Sequence, residues 1–168
     1  MNEALVDRWN AVVAPEDTVW VLGDVAMGTK HLGHVARLNG NKILVAGNHD
    51  SCWEGHKRWR RATQAYFDAG FVGVNTSGLV RAHTLHDKHG YLLGAPVVDL
   101  AHLPYAGDSH AEDRYADKRP TDQGRVLLCG HVHEKWRISG RQINVGVDVH
   151  DFYPVSEDLV REMISGLA

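Results

Sequence analysis

The chain has 168 residues, with 18 Lys and Arg against 21 Asp and Glu, a formal net charge of -3, 43% hydrophobic and 23% charged residues. That balance argues against intrinsic disorder and against a strongly basic nucleic-acid binder, and the length suits one domain, residues 1–168, with a core of its own. Twelve His stand out against two Cys and three Met. Histidine titrates near neutrality and is the commonest metal ligand, so the excess is the feature to follow.

Leu5, Val6, Trp9, Val12 and Val13 recur at helical spacing, so residues 2–13 read as an amphipathic helix ended by Ala14-Pro15. Glu3, Asp7 and Arg8 within it exclude a secretory signal. The β-branched and aromatic run 18–22 reads as a short buried strand that stops at Gly23-Asp24. Leu32, Val35, Ala36 and Leu38 place a short helix over 30–39. A second strand, 42–46, follows and ends at Gly47. Strand, helix and strand with short links predict a parallel βαβ unit. Trp59, Ala62, Tyr66 and Ala69 mark a helix over 57–69, with Gly70 at its C-terminal cap. After it, 71–74, 79–85, 91–93, 97–102, 126–129 and 143–147 read as short strands. Residues 106–124 read as a polar surface loop with a helical turn, and Ser156 caps a last helix through 164. Cys52 and Cys129 are too few for a disulfide framework, and no apolar run of 18 residues occurs, so a soluble, cytoplasmic protein is expected.

Four of these strands end in residues able to bind a metal: Gly23-Asp24, Gly47-Asn48-His49-Asp50, His102, and Gly130-His131-Val132-His133. Ligands of open α/β sheets gather at the carboxyl ends of strands, where loops converge, and a preceding glycine permits a sharp exit and close backbone approach. Each piece alone has an ordinary alternative: a turn at Asp24, an Asx turn at Asn48, a core histidine at His102, two residues on one face of a strand at His131 and His133. Their joint occurrence at successive strand ends is what carries weight.

This order of motifs resembles the calcineurin-like metallophosphoesterase superfamily, and 38–42 and 144–148 with 153–156 are similar to its small bacterial and phage members. The resemblance covers essentially the whole chain. It implies an α/β fold, a four-layer α/β/β/α sandwich of two mixed sheets flanked by helices. It also implies a cytoplasmic hydrolase that cleaves phosphomono- or phosphodiesters by attack of a metal-bound hydroxide. Two divalent transition metals, drawn from Mn, Fe, Ni, Co or Zn, are implied as cofactors. Asp24 would bridge them; Asn48, His102 and His131 would complete one site, and His133 would belong to the other. His49 would be no ligand but would stabilise the transition state or protonate the leaving group. The substrate expected is a small phosphoester such as a nucleotide or cyclic nucleotide, with no membrane partner.

The family pattern begins with an Asp-x-His on a first strand, which has no counterpart before Asp24. That strand is therefore expected to be missing, and the second metal site to be incomplete, since catalytic sites generally use at least three protein ligands. The expectation is that Met1 is an internal methionine of a longer protein. An alternative reading is a catalytically impaired metal-binding scaffold of the same fold. Asp108-Ser109-His110 and Asp148-Val149-His150 match the triplet but are weak substitutes, the first expected to be solvated. His31, His34, His56 and His150 are assigned surface roles, and His83, His86 and His89 a strand and hairpin turn. Lys57, Arg58, Arg60 and Arg61 around Trp59 read as a solvated basic face in preference to a nucleic-acid site.

Overall fold

A computed structural model describes residues 2–85 and 95–167. Helix α1 (Asn2–Val12) leads to strand β1 (Thr18–Val21), a 3-10 helix (Thr29–Arg37) and β2 (Asn41–Val45). Helix α2 (Trp59–Asp68), β3 (Phe71–Asn75), β4 (Leu79–Thr84) and β5 (Val97–Ala101) follow. The chain then forms a 3-10 turn (Ala116–Lys118), β6 (Val126–Cys129), β7 (Ile138–Ser139), β8 (Gln142–Asn144), another 3-10 turn (Val147–Val149) and α3 (Glu157–Ser165).

The expected parallel unit is present, with β1 paired parallel to β2 through Thr18 with Asn41 and Val21 with Leu44. Its connection is the expected short helix, of 3-10 type. Gly33 lies in its middle, where glycine weakens an α-helix, and Leu32 and Val35 are its buried residues. Strand β3 completes a three-stranded sheet in the order β1-β2-β3. The second sheet is mixed, in the order β4-β5-β6-β8-β7. The protein is thus a mixed α/β fold of two sheets flanked by helices.

Strand β7 was not anticipated, and the strand expected over 143–147 is shorter, because the side chain of Asn144 accepts the Gly146 N–H that a longer ladder would need. The strand expected over 91–93, with His86 and His89, lies outside the described residues.

Alternation along β1 feeds two cores. Val21 packs against the cluster built from Leu32, Val35, Leu44, Tyr66 and Phe71, which joins the first sheet to α2. Trp20 and Leu22 pack against Val98, Leu100, Leu128, Ile143 and Val160, which joins the second sheet to α3. Full burial of each such side chain contributes about 1.5–3 kcal/mol. Strand β1 is an edge of its sheet, and beside it a groove of about 580 Å³ runs between residues of both sheets. Among the described residues no helix is long and apolar enough to cross a membrane.

Candidate metal centre

The loop after β1 and the loop after β2 cross in near contact. A Cβ on Gly23 would lie 2.5 Å from the backbone N of Gly47, and a Cβ on Gly47 would lie 2.3 Å from Asp24 Oδ1. The ring of His102 sits against both, since either added Cβ would come within 2.8 Å of its Nδ1. The glycines that precede Asp24 and Asn48 are therefore required by close approach, and Gly23 also by a φ of +84°.

What this crossing assembles is a set of lone pairs. The Nδ1 of His102 lies 2.9 Å from the carbonyl oxygen of Leu22, a contact that makes Nδ1 the protonated donor and leaves Nε2 with a free lone pair. That Nε2 faces Asn48 Oδ1 at 3.0 Å and Asp24 Oδ2 at 3.3 Å. Acceptors in such contact repel unless a cation or a proton lies between them. Their separations are the edge lengths of a coordination shell with ligand distances of about 2.0–2.2 Å, roughly 3.0 Å for octahedral and 3.4 Å for tetrahedral geometry.

Burial tends to raise the pKa of Asp24, but hydrogen bonding and charge from His102, which need a proton on Nε2 in the place a cation would take, and the His49 N–H outweigh it and hold the carboxyl below its usual range. The Asp24 side chain is thus an anion, with Oδ1 accepting the His49 N–H at 2.9 Å. Burial lowers the pKa of His131, against the opposing pull of Asp108, which keeps its imidazole neutral as a ligand must be.

The other expected ligands are placed less tightly. His131 is buried, 5.2 Å from His102 between ring centroids. Its Nε2 lies 3.2 Å from Asp108 Oδ2, an ion-pair contact short of a well-formed hydrogen bond. His133 is exposed, and with Asp24, His102 and His131 it lines the groove beside β1. Among the described residues no group of three His, Cys, Asp or Glu side chains stands at metal-binding spacing. The closely assembled set is Asp24, Asn48 and His102, one of whose members is an amide. Asp24, His131 and His133 all adopt left-handed backbone, with φ of 53°, 69° and 49°. For non-glycine residues such conformations cost of order 1–3 kcal/mol each and concentrate at functional sites.

The supporting part of three further residues was not read from the sequence. Asp50 is fully buried and its carboxylate accepts the backbone N–H groups of Asp24, Gly47 and Val25 at 2.8, 2.9 and 3.0 Å. Asn144 donates to the carbonyls of His133 and Trp136 at 2.7 and 2.9 Å, which holds the loop after β6. Asp108, expected to be solvated, is instead buried against Arg114 and Arg119 at 3.0 and 3.3 Å. Folding of the polar loop onto the site, with Tyr115 lying 5.8 Å from Trp53 and 6.1 Å from His131, brings these distant residues together. His150 is likewise no surface residue: it is buried, with Nε2 2.9 Å from the Asn144 carbonyl. His56 is exposed but its Nε2 meets the Asn48 carbonyl at 3.0 Å. Lys57, Arg58, Arg60 and Arg61 are exposed, with Arg60 stacked 4.6 Å over Trp59.

The fold and its crossing of strand-end loops define a mixed α/β protein with polar side chains gathered at strand ends. The chain belongs to the family of mycobacteriophage Gene 66 proteins. It is 33% identical over 173 residues to the Gene 66 protein of Mycobacterium phage L5, covering 98% of this chain and 81% of the relative. The phage D29 protein of the same name is also 33% identical over 173 residues, covering 97% and 82%. An uncharacterized protein of Methanocaldococcus jannaschii is 39% identical over 59 residues, or 32% of this chain and 33% of that protein. The crystal structure of a protein of unknown function from Aquifex aeolicus shares the fold, with a TM-score of 0.63 at 23% identity over 96% of this chain and 84% of that one. No family model matches the chain.

Proposed function

We propose that the protein is a metal-dependent phosphoesterase of the calcineurin-like type, built as an α/β/β/α sandwich over residues 1–168, that hydrolyses phosphomono- or phosphodiesters. The observation that carries this reading is the approach of His102 Nε2 to Asn48 Oδ1 at 3.0 Å and to Asp24 Oδ2 at 3.3 Å. Oxygen and imidazole donors suit Mn, Fe, Co, Ni or Zn.

Asp24, Asn48 and His102 would hold one ion, with His131 next to them; Asp24 and His133 are the candidate ligands for a second. The ions, when bound, supply Lewis acidity toward the phosphate and lower the pKa of water. The chain's own part is positional. Leu22 fixes the His102 tautomer and Asp50 fixes the loops that carry Asp24 and Asn48. His49 is exposed beside Asp24, with its backbone held by the Asp24 carboxylate, where its imidazole can reach a leaving oxygen and give it a proton. Such proton transfer is worth about 100- to 10,000-fold in rate.

The test is hydrolysis of bis-p-nitrophenyl phosphate with added Mn. Turnover that falls about 100-fold or more in His49→Ala, with metal content unchanged, supports the reading. Metal binding without turnover would favour a scaffold of the same fold, and absence of both overturns the proposal.

A further inference from the structure

A second cleft, of about 340 Å³, is lined by Asn48 and His102. We infer that this cleft receives the leaving group of the substrate, and that the leaving group is a nucleoside carrying a phosphate of its own. The inference rests on the phosphoesterase reading above.

Position is the first argument. Asn48 and His102 form one wall of the cleft, and His102 is shared with the groove that holds Asp24, His131 and His133. A phosphate held at these ligands therefore has the cleft beside it. In the reaction the oxygen of water bonds to phosphorus and the P–O bond to the nucleoside breaks with its electron pair on the departing oxygen. His49 protonates that oxygen, and the proton of the attacking water passes to solvent.

Size and lining select the chemistry. A volume of about 340 Å³ is at the small end of ligand pockets, enough for one ring system and a sugar but not for a polymer chain. Trp53, Leu79, Leu103 and Pro120 give it apolar surface. Gly78, at φ +74°, leaves this wall open, since a Cβ there would lie 2.8 Å from the Ala46 carbonyl oxygen and 3.2 Å from Trp53 Nε1.

Charge supplies the second recognition element. Arg81, Lys118 and Arg119 line the cleft against a single acid, Glu54. Arg81 is committed to Asp99 and to the Thr121 carbonyl, and Arg119 to Asp108 and the Pro104 carbonyl, so both make a fixed wall. Lys118 is different. It meets its neighbour Asp117 at 3.0 Å with both side chains at least half exposed, a pairing worth little, so its ammonium can turn to an anion at the cleft mouth. Two of the lining residues also carry buried donors that no acceptor among the described residues meets, Asn48 Nδ2 and Arg119 Nε. A ligand rich in acceptor oxygens is the class that fits such a lining.

Calorimetry on the full chain with AMP, adenosine and ribose 5-phosphate tests this without reference to turnover. AMP is expected to bind at least about tenfold more tightly than either fragment, and Lys118→Ala to weaken AMP about tenfold, the loss of one phosphate contact. Lys118→Arg should restore binding, and Lys57→Ala, in the exposed turn before α2, should leave it unchanged. Equal affinity for the three compounds, or undiminished AMP binding in Lys118→Ala, overturns the inference. Either result is distinct from failure of the phosphoesterase reading, which is decided by bis-p-nitrophenyl phosphate and metal content.

Discussion

The carboxylate of Asp50 accepts the backbone N–H of Asp24 at 2.8 Å, and with the same oxygen that of Gly47 at 2.9 Å. One buried side chain thus ties the loop after β1 to the loop after β2. Burial raises the pKa of Asp50, against the three N–H groups that favour its anion. Removing the acceptor leaves buried N–H groups unpaired, each costing about 1–3 kcal/mol. Asp50→Ala is expected to lower unfolding free energy by roughly 2–4 kcal/mol in urea titration. Any phosphoesterase activity should fall further than stability explains, because Asp24 loses its anchor.

Gly47→Ala sets a methyl group 2.3 Å from Asp24 Oδ1 and 2.5 Å from the Asp24 backbone N. Neither can retreat without opening the loop crossing, so a loss of about 1–3 kcal/mol is expected, the usual cost of overpacking. Gly33→Ala is the contrast. Nothing lies within 4 Å of its added Cβ and its φ is negative, so thermal unfolding should move slightly upward.

If Asp24, Asn48 and His102 bind a cation, Mn should raise the melting temperature and a chelator should reverse the rise. At 100 times the dissociation constant the gain is about 2.7 kcal/mol. His102→Ala should lose that response. A variant that keeps the full metal-dependent shift would remove His102 from the site.

Burial holds the pKa of His150 below its ordinary value, helped by Arg137 and opposed by the Asn144 carbonyl. The unfolded chain therefore takes up this proton first as pH falls. The contribution to stability is whole above about pH 6.5 and is lost as pH drops below it toward the lower folded value. His150→Gln keeps a neutral donor for the Asn144 carbonyl. Its melting temperature should fall less than that of the parent between pH 7.5 and about 5, as read by differential scanning calorimetry.

Cys52 and Cys129 are both buried and free, and burial pushes each thiol up to about 12. The reactive thiolate is therefore scarce at pH 8. Ellman's reagent should find almost no thiol in the native protein and both in concentrated guanidinium. Rapid reaction of either in the native state would contradict this packing.

How much of the fold was legible follows from the range of the interactions. Strand β1, strand β2, α2 and α3 were visible because period and caps are local; Ser156 does accept the Leu159 N–H at 3.2 Å. The short helix expected over 30–39 is 3-10 over Thr29–Arg37, a type its apolar spacing does not decide. Of the candidate site, the strand-end polar residues were evident from glycine and order in the chain. That Asp24, Asn48 and His102 touch, while His131 turns its Nε2 to Asp108, was not.

The sequence by itself determined which residues end the strands, their alternation into two apolar faces, and the glycines that permit close approach, since these depend on residue type and spacing. Only the tertiary structure decided that Asp50 clasps two loops, that Asp108 is buried and not solvated, and that His102 presents a lone pair to an amide and a carboxylate. The first and last of these depend on contacts across 26 and 80 residues of chain, between Asp24 and Asp50 and between Leu22 and His102. No local pattern encodes such pairings, because the groups become neighbours when the sheets pack.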